Sequence, residues 1–236
     1  MVQFVFATKE LETQFGHWQN FINENFKPDS SKGDENYKVN FDGLIPTIFD
    51  HEGRKFKIDF LSDNLNYNKV KSSVNKEPLA KALGSGQKGF KLLDLSAGLG
   101  VDAVFLHQLG FKVTAVERNP LVYMALKIAS EHLPEIEFIY SDSLKFLETV
   151  TPEQFDVAYF DPMFPEKKKS ALPKQEMVFF KNLVGFDEDA VNIVNLATDK
   201  KLFKRFVVKR PLSAESFKRP AGSIEGKIIR YDIYGL

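Results

Sequence analysis

Cysteine is absent from the 236-residue chain, tryptophan occurs once, and the four histidines stand apart at 17, 51, 107 and 132. Without cysteine there is no disulfide, thiolate zinc site, iron–sulfur cluster or cysteine nucleophile. The histidines show no metal-ligand spacing, so no metal is expected. No apolar run approaches the ~18–20 residues of a membrane span. Met1–Glu10 does not join a basic stretch to an apolar one, as an export signal would. The expected setting is therefore the reducing cytoplasm, with no membrane and no metal. Net charge is lacking too, since 32 Lys and Arg match 32 Asp and Glu. That argues against a polybasic arm or an acidic tail. The balance is a cancellation, however. Residues 161–236 hold 15 basic against 10 acidic side chains, and residues 1–160 hold 17 against 22.

What is present falls into two patterns. The first 85 residues suggest a small α+β segment. Val2–Ala7 reads as a strand and Glu10–Phe26 as a helix. Phe56, Ile58 and Phe60 alternate with polar neighbours as in a half-buried strand. A polar stretch from Ser62 to Lys76 and a short helix at Glu77–Leu83 follow, and Gly84–Gly89 reads as a linker. We place a boundary there, giving 1–85 as an N-terminal segment and 86–236 as the main domain. From Phe90 strands and helices alternate, which predicts an α/β domain with a parallel sheet covered on both faces. The strands are predicted at 90–95, 112–117, 136–140, 155–160, 205–209 and 227–234. Helices fall at 102–109, from Pro120 onward, at 143–149, and once or twice between 175 and 199. Asn119-Pro120 has the form of an N-cap followed by proline in the first turn.

The turn Asp94-Leu95-Ser96-Ala97-Gly98-Leu99-Gly100 closes the first of these strands. Ligands of open parallel sheets bind at such carboxyl ends, and Gly98 and Gly100 permit close backbone approach. With Ala103 the stretch also satisfies G-x-G-x-x-A, and Glu117 ends the next strand where a ribose-binding acid belongs. A dinucleotide and S-adenosylmethionine are both possible ligands of this turn. Asp94 and Asp102 would repel a pyrophosphate at the helix start but suit the ammonium and sulfonium cations of S-adenosylmethionine. Asp142 and Ser143 lie where adenine would sit, although Asx-Ser is also a common helix cap.

The stretch Asp161-Pro162-Met163-Phe164-Pro165 follows the fourth strand. An ionisable residue, a proline and an aromatic at a strand end resemble the D/N-P-P-Y/F motif of amine-directed methyltransferases. An exocyclic amine is a poor nucleophile because its lone pair is delocalised into the ring. Asp161 and the Pro162 carbonyl can accept its two N–H bonds, and Phe164 can stack on the base. Methyl transfer then needs positioning and electrostatics rather than a metal or a covalent enzyme intermediate.

Taken with Glu117-Arg118-Asn119-Pro120, Lys169-Ser170-Ala171-Leu172 and Val207-Val208-Lys209-Arg210-Pro211, these blocks resemble the ribosomal RNA small subunit methyltransferase J family. They occur in the same order from about Gly53 to the C-terminus. The resemblance implies a Rossmann-like class I fold that uses S-adenosylmethionine to methylate the exocyclic N2 of a guanine in 16S ribosomal RNA. The partner it implies is 16S ribosomal RNA or the small ribosomal subunit. It also implies cofactor contacts at Val101, Asp102, Glu117, Arg118, Asp142, Ser143 and Asp161, beside Asp94, Gly98 and Gly100 of the turn. The family usually has Arg where Val101 stands, so a contact there must use the backbone. Leu95-Ser96 departs from the usual turn, Asn66–Lys71 is less basic than in relatives, and residues 1–52 match poorly.

Lys167, Lys168 and Lys169 follow the Asp161 loop, and Lys209 and Arg210 come later in the basic C-terminal part. They are the expected phosphate contacts of an RNA-facing rim. Alternatives are a methyltransferase for adenine N6 or protein glutamine, a nicotinamide-dependent oxidoreductase, and a non-catalytic RNA-binding assembly factor.

Overall fold

The computed structural model describes residues 1–27, 36–62, 77–84, 88–163 and 175–235. In chain order the elements are β1 (Val2–Phe6), α1 (Lys9–Phe15), α2 (His17–Asn25), β2 (Tyr37–Phe41), β3 (Thr47–Phe49), β4 (Lys55–Phe56), α3 (Pro78–Leu83), β5 (Lys91–Asp94) and α4 (Val101–Gln108). They continue as β6 (Lys112–Glu117), α5 (Pro120–Ala129), β7 (Glu137–Tyr140), α6 (Ser143–Thr149), β8 (Val157–Phe160), α7 (Gln175–Val184), α8 (Ala190–Asp199), β9 (Arg205–Pro211), β10 (Gly222–Glu225) and β11 (Ile229–Tyr234). The chain divides into two compact units. One comprises Met1–Phe60, Asn119–His132 and Met163–Phe186, and the other comprises Leu61–Arg118, Leu133–Pro162 and Asp187–Leu236. This division differs from a single cut near residue 85, because α5 and α7 pack with N-terminal elements through aromatic side chains.

In the first unit β1 pairs parallel to β2, and β2, β3 and β4 run antiparallel in the order β1-β2-β3-β4. Its core explains the abundance of phenylalanine. Phe41 is fully buried, with the rings of Phe15 and Phe6 stacked on it at 4.9 and 5.1 Å. Phe179 of α7 stacks on Tyr37 at 5.9 Å and meets Phe56 edge-on at 5.2 Å. Tyr123 of α5 packs against Trp18 and Phe21 of α2. Such pairs contribute about 0.5–1.5 kcal/mol each beyond burial. Truncating Phe41 to Ala would remove the hub, at about 3–5 kcal/mol.

The helix expected over 10–26 is two helices joined at Gly16. A Cβ there would lie 2.5 Å from the carbonyl oxygen of Glu12, so the close turn needs glycine. Phe56, Ile58 and Phe60 are buried as their alternation predicts, yet only Lys55–Phe56 pairs as a strand. Strands β2, β3 and β10 were not anticipated.

The second unit holds a seven-stranded sheet in the order β10-β11-β9-β8-β5-β6-β7. Strands β5 to β9 are mutually parallel, while β11 and β10 add antiparallel at one edge. This is the predicted α/β sheet. The chain runs outward from β5 to β6 and β7, then returns to β8 on the other side of β5. That reversal makes the carboxyl ends of β5 and β8 a topological switch point, where ligands of open α/β sheets bind. Leu93, Leu95, Ala158 and Phe160 from those strands pack with Leu147 and Val150 from α6 and its end, and with Ile193, Val194 and Ala197 of α8. The buried core thus fixes the strand ends from which the site residues project. No helix among the described residues is long and apolar enough to cross a membrane.

Candidate active site at the switch point

The glycine turn after β5 is held by backbone bonds to both neighbouring strands. Leu95 N–H donates to the Tyr159 carbonyl at 2.9 Å, and Ala97 N–H donates to the Val116 carbonyl at 3.0 Å. Gly98 and Gly100 have φ of +53° and +75°. L-side chains avoid that region, so the turn requires glycine at both places. Gly100 caps α4, whose first turn is Val101, Asp102 and Ala103. Val101 thus contributes an N–H at a helix start, where intrahelical acceptors are lacking. That is consistent with a backbone contact at this position.

Acidic groups converge on this turn. Glu117 is buried, and its Oε2 accepts the Gly98 N–H at 3.0 Å. Asp94 is 0% exposed. Its Oδ1 accepts the Ser96 N–H at 2.9 Å and the Ser96 hydroxyl at 3.2 Å. Its Oδ2 is buried and without a hydrogen-bond partner among the described residues. Burial, with the nearby Asp102 and Asp161 charges and against the Ser96 bonds, pushes Asp94 up to about 7. An orphaned buried carboxylate oxygen is costly unless a cation or donor meets it. The residues present therefore fit the cationic ammonium and sulfonium of S-adenosylmethionine and disfavour a pyrophosphate.

Asp161 stands just beyond β8. Its backbone N–H donates to Ser96 Oγ at 2.7 Å, and its Oδ2 accepts from Lys209 Nζ at 2.6 Å. Lys209 Nζ also lies 3.8 Å from Asp102 Oδ2, which accepts the Tyr159 hydroxyl at 2.8 Å. Burial raises Asp161 to about 6, with Lys209 pulling it back and Asp102 pushing it up further. Burial also works against the Lys209 ammonium, but Asp161 and Asp102 outweigh it and hold Lys209 above the ordinary lysine value. Tyr159 is driven well above its usual range by burial and by the same two carboxylates, so it stays neutral.

The remaining predicted positions are distributed as follows. Asp142 is the N-cap of α6 and accepts the Lys145 N–H, while the Ser143 hydroxyl donates to the Leu95 carbonyl at 2.6 Å. The cap is therefore Asp142 rather than Ser143, and Ser143 ties the third strand end to the first. Arg118 pairs with Asp187 at 3.0 Å. Pro162 is buried directly after Asp161. Phe164, Lys167, Lys168 and Lys169 lie outside the described residues. The rim expected at Lys209 and Arg210 gives way to internal contacts. Lys209 is turned onto Asp161, and the buried Arg210 stacks on Phe217 at 3.8 Å and donates to the Glu215 carbonyl.

Sequence reasoning missed four members of this network: Ser96, Tyr159, Asp187 and the inward role of Lys209. Two left a signal. Ser96 completes an Asp-x-Ser turn with Asp94. Lys209 interrupts the apolar run Phe206-Val207-Val208, and a lysine in a buried strand needs a counter-charge. No cluster of three or more acidic or histidine side chains among the described residues is arranged to hold a metal.

Comparison with known proteins decides which ligand the turn serves. The family model described as "Putative SAM-dependent methyltransferase" matches residues 46–236. A ribosomal RNA small subunit methyltransferase J from Bdellovibrio bacteriovorus is 42% identical and covers 97% of this chain and 92% of its own length. The protein of that name from Alteromonas mediterranea is 39% identical over 75% of this chain and 73% of its own. Among solved structures, a SAM-dependent methyltransferase from Neisseria gonorrhoeae superposes with a TM-score of 0.68 at 24% identity, covering 99% of this chain and 94% of that one. That likeness supports the Rossmann-like fold. The chain belongs to the ribosomal RNA small subunit methyltransferase J family of S-adenosylmethionine-dependent methyltransferases.

Proposed function

We propose that this protein transfers a methyl group from S-adenosylmethionine to the exocyclic N2 of a guanine in small-subunit (16S) ribosomal RNA. The observation that carries the reading is the placement of Asp161. It stands at the end of β8, on the switch point, hydrogen-bonded through Ser96 to the Asp94 turn. One hydroxyl thus ties the backbone of the amine-recognising Asp161 to the carboxylate of the cation-recognising Asp94. The names of the relatives supply the RNA.

When bound, S-adenosylmethionine supplies a methyl on sulfur, which keeps the electron pair of the carbon–sulfur bond as the amine nitrogen takes the carbon. The chain's own residues bind and aim. Glu117 is placed to accept the ribose hydroxyls, since a carboxylate has acceptor capacity beyond its bond to Gly98. Asp94 and Asp102 offer negative charge to the amino-acid end, and the N-terminal turn of α4 offers N–H donors. Asp142 and Ser143 border the adenine region. The Asp161 carboxylate and the Pro162 carbonyl accept the two amine N–H groups, and Phe164 stacks on the base. Asp161 also receives the proton that the nitrogen sheds, and passes it to solvent.

The lysines at 167, 168 and 169 supply phosphate contacts, and the N-terminal elements within residues 1–60 adapt the enzyme to its RNA while the seven-stranded sheet carries the chemistry. A ribosomal substrate places the work in the cytoplasm. The test is transfer of labelled methyl to small subunits and to 16S ribosomal RNA from a strain lacking the gene, followed by nucleoside analysis. Label in N2-methylguanosine is the expected result. Label in N6-methyladenosine or in protein glutamine would overturn the choice of amine.

A further inference from the structure

The alignment of β8 with β9 places a lysine where an RNA rim would not. Tyr159 and Phe160 pair with Val207 and Val208, so the next residues on each strand, Asp161 and Lys209, arrive level with one another. Tyr231 of β11 lies opposite Lys209 on the other side. The Lys209 side chain is only 25% exposed, and its ammonium donates to Asp161 Oδ2 rather than facing solvent. No hydrogen bond reaches Asp161 Oδ1 from the described residues. The ammonium also serves Asp102, whose Oδ2 is held by Tyr159. A flexible four-carbon stem immobilised in this way sacrifices side-chain entropy, which a surface phosphate contact would retain until RNA arrives.

We propose that Lys209 is a positioning residue for methyl transfer: by holding Oδ2 of Asp161 it fixes the carboxylate so that Oδ1 faces the substrate amine. This rests on the methyltransferase reading above. The charged surroundings of Asp161 set the consequence. Asp102 from α4 and Asp187 ahead of α8 are negative and push Asp161 up, Asp94 from β5 holds its own proton up to about pH 7, and Tyr159 of β8 and Tyr231 of β11 are neutral. Arg118 is paired with Asp187. Lys209 is the cation that opposes burial and these acids at Asp161. Without it the Asp161 carboxyl keeps its proton to higher pH, and a protonated acid donates where the amine needs an acceptor.

The experiment compares wild type with Lys209→Met and Lys209→Arg, and uses Lys209→Gln should the Met variant fail to fold. Three quantities are read. They are the carbon-13 titration of the Asp161 carboxyl in ligand-free protein, the pH profile of single-turnover methyl transfer, and RNA affinity against salt. Met (or Gln) should move both the carboxyl titration and the acid limb of the rate upward by about one pH unit or more. It should cut the rate at pH 6 about fivefold or more, with RNA affinity and its salt slope unchanged. Arg should restore most of the rate. An unmoved titration and acid limb, with weaker RNA binding and a shallower salt slope, would overturn the proposal and return Lys209 to the phosphate rim. The underlying reading fails separately, if wild type transfers no methyl to RNA or Asp161→Asn leaves transfer intact. The carboxyl titration still reports the grip of Lys209 on Asp161 in that event.

Discussion

The Asp161 backbone N–H donates to Ser96 Oγ at 2.7 Å, and that hydroxyl donates in turn to Asp94 Oδ1 at 3.2 Å. One side chain thereby fastens the loop after β8 to the turn after β5. Ser96→Ala should lower the single-turnover rate by about 10–100-fold, because a misplacement of about 1 Å near the reacting atoms costs up to about 100-fold. S-adenosylmethionine affinity should fall by less than about tenfold, the worth of one neutral hydrogen bond. Ser96→Thr should retain both. Stopped-flow transfer and calorimetry on the three proteins check this, and equal losses in rate and affinity would contradict a bridging role.

Asp94 makes the ligand-free protein less stable at neutral pH than it would be with an uncharged residue there. The folded protein holds the Asp94 proton up to about pH 7, because burial disfavours the charge. The unfolded chain releases that proton near pH 4. Between those values the folded state binds more protons, so this group's contribution to stability falls as pH rises from about 4 to 7. Asp94→Asn should raise the stability of ligand-free protein at pH 8 by on the order of 2–4 kcal/mol, and the gain should shrink toward pH 4. Urea unfolding at pH 8 and pH 5 measures it. Cofactor binding by the same variant should weaken, since the buried negative oxygen is lost.

What the sequence made legible follows the range of each interaction. Asn119-Pro120 is predicted as a cap, and Asn119 Oδ1 accepts the Leu121 and Val122 N–H groups. Glu117 and Asp94 end strands that their own apolar runs announce. These are local signals. Lys209 meets Asp161 through strand register between segments 48 residues apart, and although its place in an apolar run signals a need for a counter-charge, nothing local names Asp161 as the partner. Tyr123 sits in a helix with the expected α/β spacing, yet its ring packs on Trp18. Strand β10 is Gly-Ser-Ile-Glu at the sheet edge with three of four residues exposed, so no alternation of burial marks it.

Glu117 is the most direct test of the cofactor site. Its carboxylate holds the Gly98 N–H, and the proposed function has it accept the ribose hydroxyls. Glu117→Ala removes charge-assisted bonds worth about 1.5–3 kcal/mol each, so cofactor affinity should fall by ~100-fold or more. Glu117→Gln keeps an acceptor for Gly98 and should lose less. Gly98→Ala and Gly100→Ala should each destabilise the protein by roughly 1–2 kcal/mol through positive φ. Calorimetric titration and thermal unfolding separate the two kinds of loss.

The cancelling charges give the last prediction. The excess of basic residues begins at Asp161, and Lys167, Lys168 and Lys169 open it. The structure commits Lys209 and Arg210 to internal contacts, so the proposed phosphate contacts rest on the three lysines. Each lysine that neutralises a phosphate of single-stranded RNA adds about 0.7 to the slope of log affinity against log salt. Replacing all three with Glu should weaken RNA binding and flatten that slope by roughly 2. Cofactor affinity should not change, because the turn and Glu117 are untouched. Filter binding across a salt series measures the slope, and an unchanged slope would show that the RNA is held elsewhere.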